Sequence, residues 1–93
     1  MKLLAANAGK LVQFALKAEP TNRVFVAGTF NNWDPGANPL QGSPDSGYFT
    51  TALHVPTGRH EYKFVVDGAW VVDPACPDCV PNAFGSTNSV LRV

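Results

Sequence analysis

The stretch that most constrains the fold is His60-Glu61-Tyr62-Lys63-Phe64-Val65-Val66, followed at once by Asp67-Gly68 and Ala69-Trp70-Val71-Val72. Asp-Gly between two strand-forming runs is a strong signal for a hairpin with a two-residue loop. Such a loop pairs Val66 with Ala69 and Val65 with Trp70, and directly paired residues point to the same face. Side chains alternate along a strand, so Glu61, Lys63, Val65 and Trp70 share one face while His60, Tyr62, Phe64 and Val66 share the other. The second set is largely aromatic and apolar and is expected to face a core. Lys63 and Trp70 then stand diagonally to each other on the outer face of adjacent strands. A slip of one residue would exchange the two faces, so burial of Tyr62 and Phe64 is the critical expectation.

The rest of the chain reads in the same way. Leu11, Gln13, Ala15 and Lys17 alternate with Val12, Phe14 and Leu16, the period of a half-buried strand. Arg23 to Ala27 is short, apolar and β-branched, and Tyr48 to Val55 and Ser89 to Val93 are further strands. Glu19-Pro20-Thr21-Asn22 and Pro56-Thr57-Gly58 are turns. Gly28 closes the second strand, and two long loops are expected, from Asn31 to Gly47 and from Asp73 to Asn82, with Leu40 in the first as an anchor to the core. No helical period and no internal repeat is found. Ninety-three residues make one domain. The expected fold class is all-β, an immunoglobulin-like antiparallel β-sandwich over residues 10–93, preceded by a loose terminus at residues 1–9. Its two cysteines fall within one loop, so they cannot form the bridge across sheets that antibody domains use.

Composition narrows the partners. Seven basic and seven acidic side chains give a formal net charge of zero, which argues against nucleic acid or an anionic membrane as a partner, since both attract a basic field. No apolar run approaches the ~20 residues of a membrane span. The apolar opening stops at Asn7, short of the ~7–15 residues of a signal peptide core, and a cytoplasmic location is expected.

Signals for catalysis or metal binding are thin. Cys76-Pro77-Asp78-Cys79 is a single CxxC, supplying two of the four ligands of a structural zinc site, and it lacks the βαβ setting of a thioredoxin-like redox pair. Unpaired thiols, or a local disulfide on oxidation, are expected. His54 and His60 read as scaffold. No nucleophile stands beside a histidine and a carboxylate. Asp67 and Asp73 read as turn residues rather than a glycosidase pair. No metal, no cofactor and no enzymatic activity is therefore expected.

Two tryptophans remain to be explained. Trp70 points outward by register, and Trp33 sits in the polar turn Asn31-Asn32-Trp33-Asp34-Pro35. Exposed indoles beside hydrogen-bonding groups suit a sugar: the C–H faces of a pyranose pack on the ring, and its hydroxyls find polar partners at the edges.

Three blocks then resemble a known family. Val24 to Trp33, His60 to Trp70, and Asp73-Pro74 with Pro81 to Val90 are similar, in order and spacing, to the glycogen-binding module of AMP-activated protein kinase beta subunits. That module belongs to carbohydrate-binding family 48, with the N-terminal domains of glycogen branching enzymes and isoamylases. The resemblance runs from about Val12 to Val93. It implies an early-set immunoglobulin-like sandwich that binds α-1,4-linked glucans (glycogen, starch, malto-oligosaccharides) without catalysis. It places the stacking tryptophans at Trp33 and Trp70 and the sugar-contacting lysine at Lys63. The apolar residue set against the glucan, typically leucine in the kinase module, falls on Phe84, and the terminal hydroxyl and amide fall on Ser86 and Asn88. The alternative is a protein-interaction module of the same fold that docks a glucan-metabolising enzyme or a kinase-like partner, its tryptophans serving as interface anchors.

Overall fold

The structure, a computed structural model, describes residues 9–19, 22–43, 46–76, 78–83 and 85–93. Residues 1–8 of the expected loose terminus, and Phe84, lie outside the described residues. The described residues form eight strands: β1 (Lys10–Lys17), β2 (Val24–Gly28), β3 (Gln41–Gly42), β4 (Tyr48–Val55), β5 (Arg59–Val66), β6 (Ala69–Val71), β7 (Cys79–Pro81) and β8 (Thr87–Arg92). All pairings are antiparallel. One sheet has the order β1-β4-β3, and the second runs β2-β5-β8-β7 with β6 also on β5.

The two inner faces meet in an immunoglobulin-like sandwich. Phe14, Leu16, Phe49 and Val55 come from the smaller sheet, and Val24, Val26, Tyr62 and Phe64 from the larger. Phe14 packs edge-on against Tyr62 with ring centroids 5.2 Å apart. The burial of Tyr62 and Phe64 matches the register read from the Asp-Gly turn, as do the pairs Val65↔Trp70 and Val66↔Ala69. Asp67 and Gly68 both take positive φ, 50° and 85°, which a two-residue hairpin turn requires at both positions. Asp67 also ties this turn to the start of β2, accepting hydrogen bonds from Arg23 N at 2.8 Å and from the Asn22 side chain at 2.6 Å.

Central β5 organises everything nearby. β2 pairs along residues 62–66 of one edge, while the other edge is shared between β8, on residues 59–62, and β6, on residues 64–66. That edge of β5 is thus divided between β8 and β6 on either side of Lys63.

Several expected boundaries move. The long loop after Gly28 contains β3, and Leu40, a core residue as expected, donates its N–H to Val24 O at 2.8 Å. Segment 38–40 thus runs beside β2 before β3 joins the other sheet. Within the expected loop from Asp73 to Asn82, Cys79–Pro81 forms β7 against β8. β7 is a short edge strand, where a proline is tolerated because its missing N–H can face outward, and its composition hid it. β8 begins at Thr87 rather than Ser89, β2 ends at Gly28, and Val72 falls outside β6.

Candidate functional site

Three segments converge on the outer face of the larger sheet. The first is the turn after β2. Gly28 is its hinge: its carbonyl accepts from both Asn31 N (3.1 Å) and Trp33 N (2.9 Å), and a Cβ there would sit 2.5 Å from Glu61 O. Asn31 folds back into the turn. Its Oδ1 accepts from Gly28 N at 2.9 Å, and its Nδ2 donates to Val26 O at 3.0 Å and Asn38 Oδ1 at 2.6 Å. Held this way, Asn32 and Trp33 adopt left-handed φ values of 59° and 57°. Such a conformation is uncommon for a bulky residue and is sustained only where surrounding contacts over-determine it.

The second segment is the β5–β6 hairpin. Trp70 is 45% exposed and lies 6.4 Å from the half-buried Trp33, centroid to centroid, with ring planes inclined at 49°. Neither indole belongs to the core cluster.

The third is the turn from β7 to β8. Ser86 N donates to Asn82 Oδ1 at 3.1 Å, and Asn82 N to Ser86 O at 2.9 Å, closing the turn. Asn82 Nδ2 donates to Asn88 Oδ1 (3.0 Å), and Asn88 Nδ2 donates to Glu61 Oε1 (3.0 Å). The other Glu61 oxygen accepts from Arg59 at 2.9 Å. The bond from Asn88, and then the bond and charge of Arg59, hold the Glu61 carboxyl below its ordinary range.

Together these segments enclose an open trough of about 1000 Å³. Trp33, Lys63, Trp70, Ser86 and Asn88 all line it, so five of the six residues singled out in the sequence meet on one surface. Phe84, the sixth, lies outside the described residues.

The expected surroundings of Lys63 need correction. It lies on the outer face, level with Ala27, yet is only 7% exposed. Its neighbour on that face, Val65, is 4% exposed. Both belong to a central strand flanked on either side, and the β7–β8 turn reaches back over the lysine, whose Nζ donates to Ser86 Oγ at 3.0 Å. The long aliphatic stem is packed and only the head reaches the trough, as amphipathic side chains allow.

Glu61, Thr29, Pro81, Asn82 and Ala83 also line the trough and were not singled out. Alternation along β5 already put Glu61 on the outer face, so that signal was present. The contribution of Asn82 depends on β7, which was read as loop.

Elsewhere, Cys76 and Cys79 are free thiols, with Cys76 Sγ 3.3 Å from Asp78 O and 3.4 Å from Val90 O. Among the described residues no three of His, Cys, Asp and Glu cluster as a metal site would need. His60 is bound on both ring nitrogens, to Thr29 Oγ1 and to Pro56 O, each at 2.9 Å. A carbonyl can only accept, so Nε2 carries the hydrogen and His60 is part of the scaffold.

The family described as the glycogen recognition site of AMP-activated protein kinase matches residues 12–93. The chain is 38% identical over 76 residues to 5'-AMP-activated protein kinase subunit beta-2 of Mus musculus, covering 82% of this chain and 27% of that protein. The human subunit beta-2 gives 38% identity over 76 residues, covering 82% and 26%. Subunit beta-1 of Sus scrofa gives 40% over 70 residues, covering 75% and 53%. The chain thus spans about a quarter of the length of the beta-2 relatives it matches.

Proposed function

The chain belongs to the family of the glycogen recognition site of AMP-activated protein kinase, and on that premise we propose that it binds α-1,4-linked glucans without acting on them chemically. The observation that carries this reading is the tilted pair of indoles, 49° apart in plane, in a trough that Lys63, Ser86 and Asn88 also line. In an α-1,4 glucan the axial–equatorial linkage turns each ring relative to the last, so the chain curves. Two aromatic faces set at an angle can each meet a pyranose face of such a chain. A flat β-1,4 chain would favour coplanar rings.

Each residue has a role that its chemistry supports. Trp33 and Trp70 stack on C–H faces. Lys63 and Asn88 meet hydroxyls in the trough, and Ser86, whose oxygen already accepts from Lys63, offers its O–H. Phe84, which lies outside the described residues, is given an apolar contact with the glucan by the family resemblance alone. Rigid elements hold the first two polar groups and a hydrogen-bonded turn holds the third, so the surface needs little ordering on binding.

A second reading is docking on a glucan-metabolising enzyme or kinase-like partner. It draws on Leu11 and Tyr48, which are 72% and 46% exposed on the outer face of the other sheet, away from the trough. Retention on amylose and glycogen resins tests the first reading. The chain is expected to be retained there, to pass through cellulose, and to lose retention when Trp33 and Trp70 are both replaced by alanine. Passage of the parent chain through amylose would sink the glucan reading and leave docking as the alternative.

A further inference from the structure

We propose that Glu61 is a sugar-binding residue of this trough, accepting a hydroxyl proton beside the hydroxyl that Lys63 meets. The proposal rests on the glucan reading and adds to it the group that satisfies the ligand's donors.

A glucose hydroxyl both donates and accepts, and adjacent ring hydroxyls present one such pair after another. The described lining of the trough is rich in donors. Lys63 has only N–H groups, the indoles donate only, and the Ser86 oxygen is already engaged by Lys63. The ring hydroxyl beside the one that meets Lys63 also carries a proton that needs an acceptor, and leaving that proton unmet costs affinity. Asn88 has a second N–H to offer a hydroxyl but is poorly placed to accept this proton, because its oxygen already accepts from Asn82 while its nitrogen donates to Glu61.

Glu61 has what Asn88 lacks. It lies two residues before Lys63 on the same strand and so on the same face. Its side chain is 26% exposed, and each carboxylate oxygen accepts one described hydrogen bond, from Asn88 and from Arg59. An ionised carboxylate has about four acceptor positions, so acceptor capacity remains on a side chain that lines the trough. The two bonds fix the carboxylate's orientation, and a hydroxyl donating to it forms a charge-assisted bond, stronger than a neutral one. Glu61 is the anionic acceptor among the described lining residues.

The test uses Glu61→Gln, which keeps shape and removes charge, with Glu61→Ala alongside in case the amide rearranges Asn88. Maltoheptaose is titrated calorimetrically. Methyl maltosides lacking a single ring hydroxyl at position 2 or 3 are then titrated by NMR shift. Both variants should bind maltoheptaose about fivefold more weakly than the parent, with melting nearly unchanged for Glu61→Gln, which keeps an acceptor for Asn88, and lowered for Glu61→Ala, which does not. Deoxygenation at one of the two positions should weaken parent binding by a similar factor and leave the variants unaffected, because the same bond is already gone. If the parent binds and both variants match it within about twofold, or if deoxygenation weakens the variants as much as the parent at both positions, the role of Glu61 is wrong. If the parent does not bind, the glucan reading itself fails.

Discussion

Trp33 and Trp70 stand 6.4 Å apart, one on a turn held in left-handed backbone and the other on a strand of a tight hairpin. Their closeness depends on scaffolding that touches neither ring. Asn31 ties the first turn to β2, and Asp67 locks the hairpin to the residues that lead into β2. Both indoles are thus referenced to one strand, which accounts for the placement of exposed Trp70 beside half-buried Trp33.

Asn31 is accordingly expected to matter more than its surface position suggests. Asn31→Ala removes three hydrogen bonds, including those to Val26 O and Gly28 N. We expect a loss of about 1–3 kcal/mol in urea denaturation, together with weaker glucan binding because Trp33 is no longer held in its strained conformation. Unchanged stability and unchanged affinity would show that the turn holds itself.

Lys63 carries two separable contributions. Its stem is packed and its head is bonded to Ser86. Lys63→Ala should lower stability by about 1–2 kcal/mol by deleting buried methylenes, whereas Lys63→Met should stay within about 1 kcal/mol of the parent. Both should weaken binding of malto-oligosaccharide to a similar extent. Equal melting of the alanine variant and the parent would mean that the stem contributes nothing.

The hairpin register, the buried Tyr62 and Phe64, and the anchoring Leu40 were legible in the sequence because each is a local signal: an Asp-Gly turn, a two-residue period, a lone leucine among polar residues. Register alone put Lys63 and Trp70 on one outer face, whereas the meeting of these two with Trp33, Ser86 and Asn88 followed from the family resemblance. Burial of Lys63 was not legible, since it depends on a turn arriving from residues 82–86. β7 was hidden because Cys79 and Pro81 look like loop and its strand character comes only from pairing with β8. The left-handed Trp33 was equally out of reach, because tertiary contacts there override the preference of a bulky side chain.

Tyr62 gives a prediction at alkaline pH. Its hydroxyl donates to Asp73 Oδ2 at 2.6 Å, and burial, then this bond and the Asp73 charge, push its pKa far above the ordinary 10.0. The folded protein keeps the proton while the unfolded chain loses it near 10, so this contribution is present below that pH and is lost as pH rises beyond it. Tyr62→Phe should cost about 1–2 kcal/mol at neutral pH and flatten the fall in stability above pH ~10. An alkaline profile identical to that of the parent would contradict the buried bond.

The most direct test of glucan recognition is calorimetric titration of maltoheptaose and of a cello-oligosaccharide of equal length into the parent chain and Trp70→Ala, with a thermal melt of each. Trp70 is 45% exposed and outside the core, so removal of its ring should leave melting nearly unchanged. Binding of maltoheptaose should weaken about tenfold, the effect of one lost aromatic contact. The cello-oligosaccharide should bind neither protein, and affinity for maltoheptaose should vary little with salt, because the ligand is uncharged. Equal binding of maltoheptaose by parent and variant, or a weakened variant that has also unfolded, would contradict the claim that the paired indoles hold the sugar.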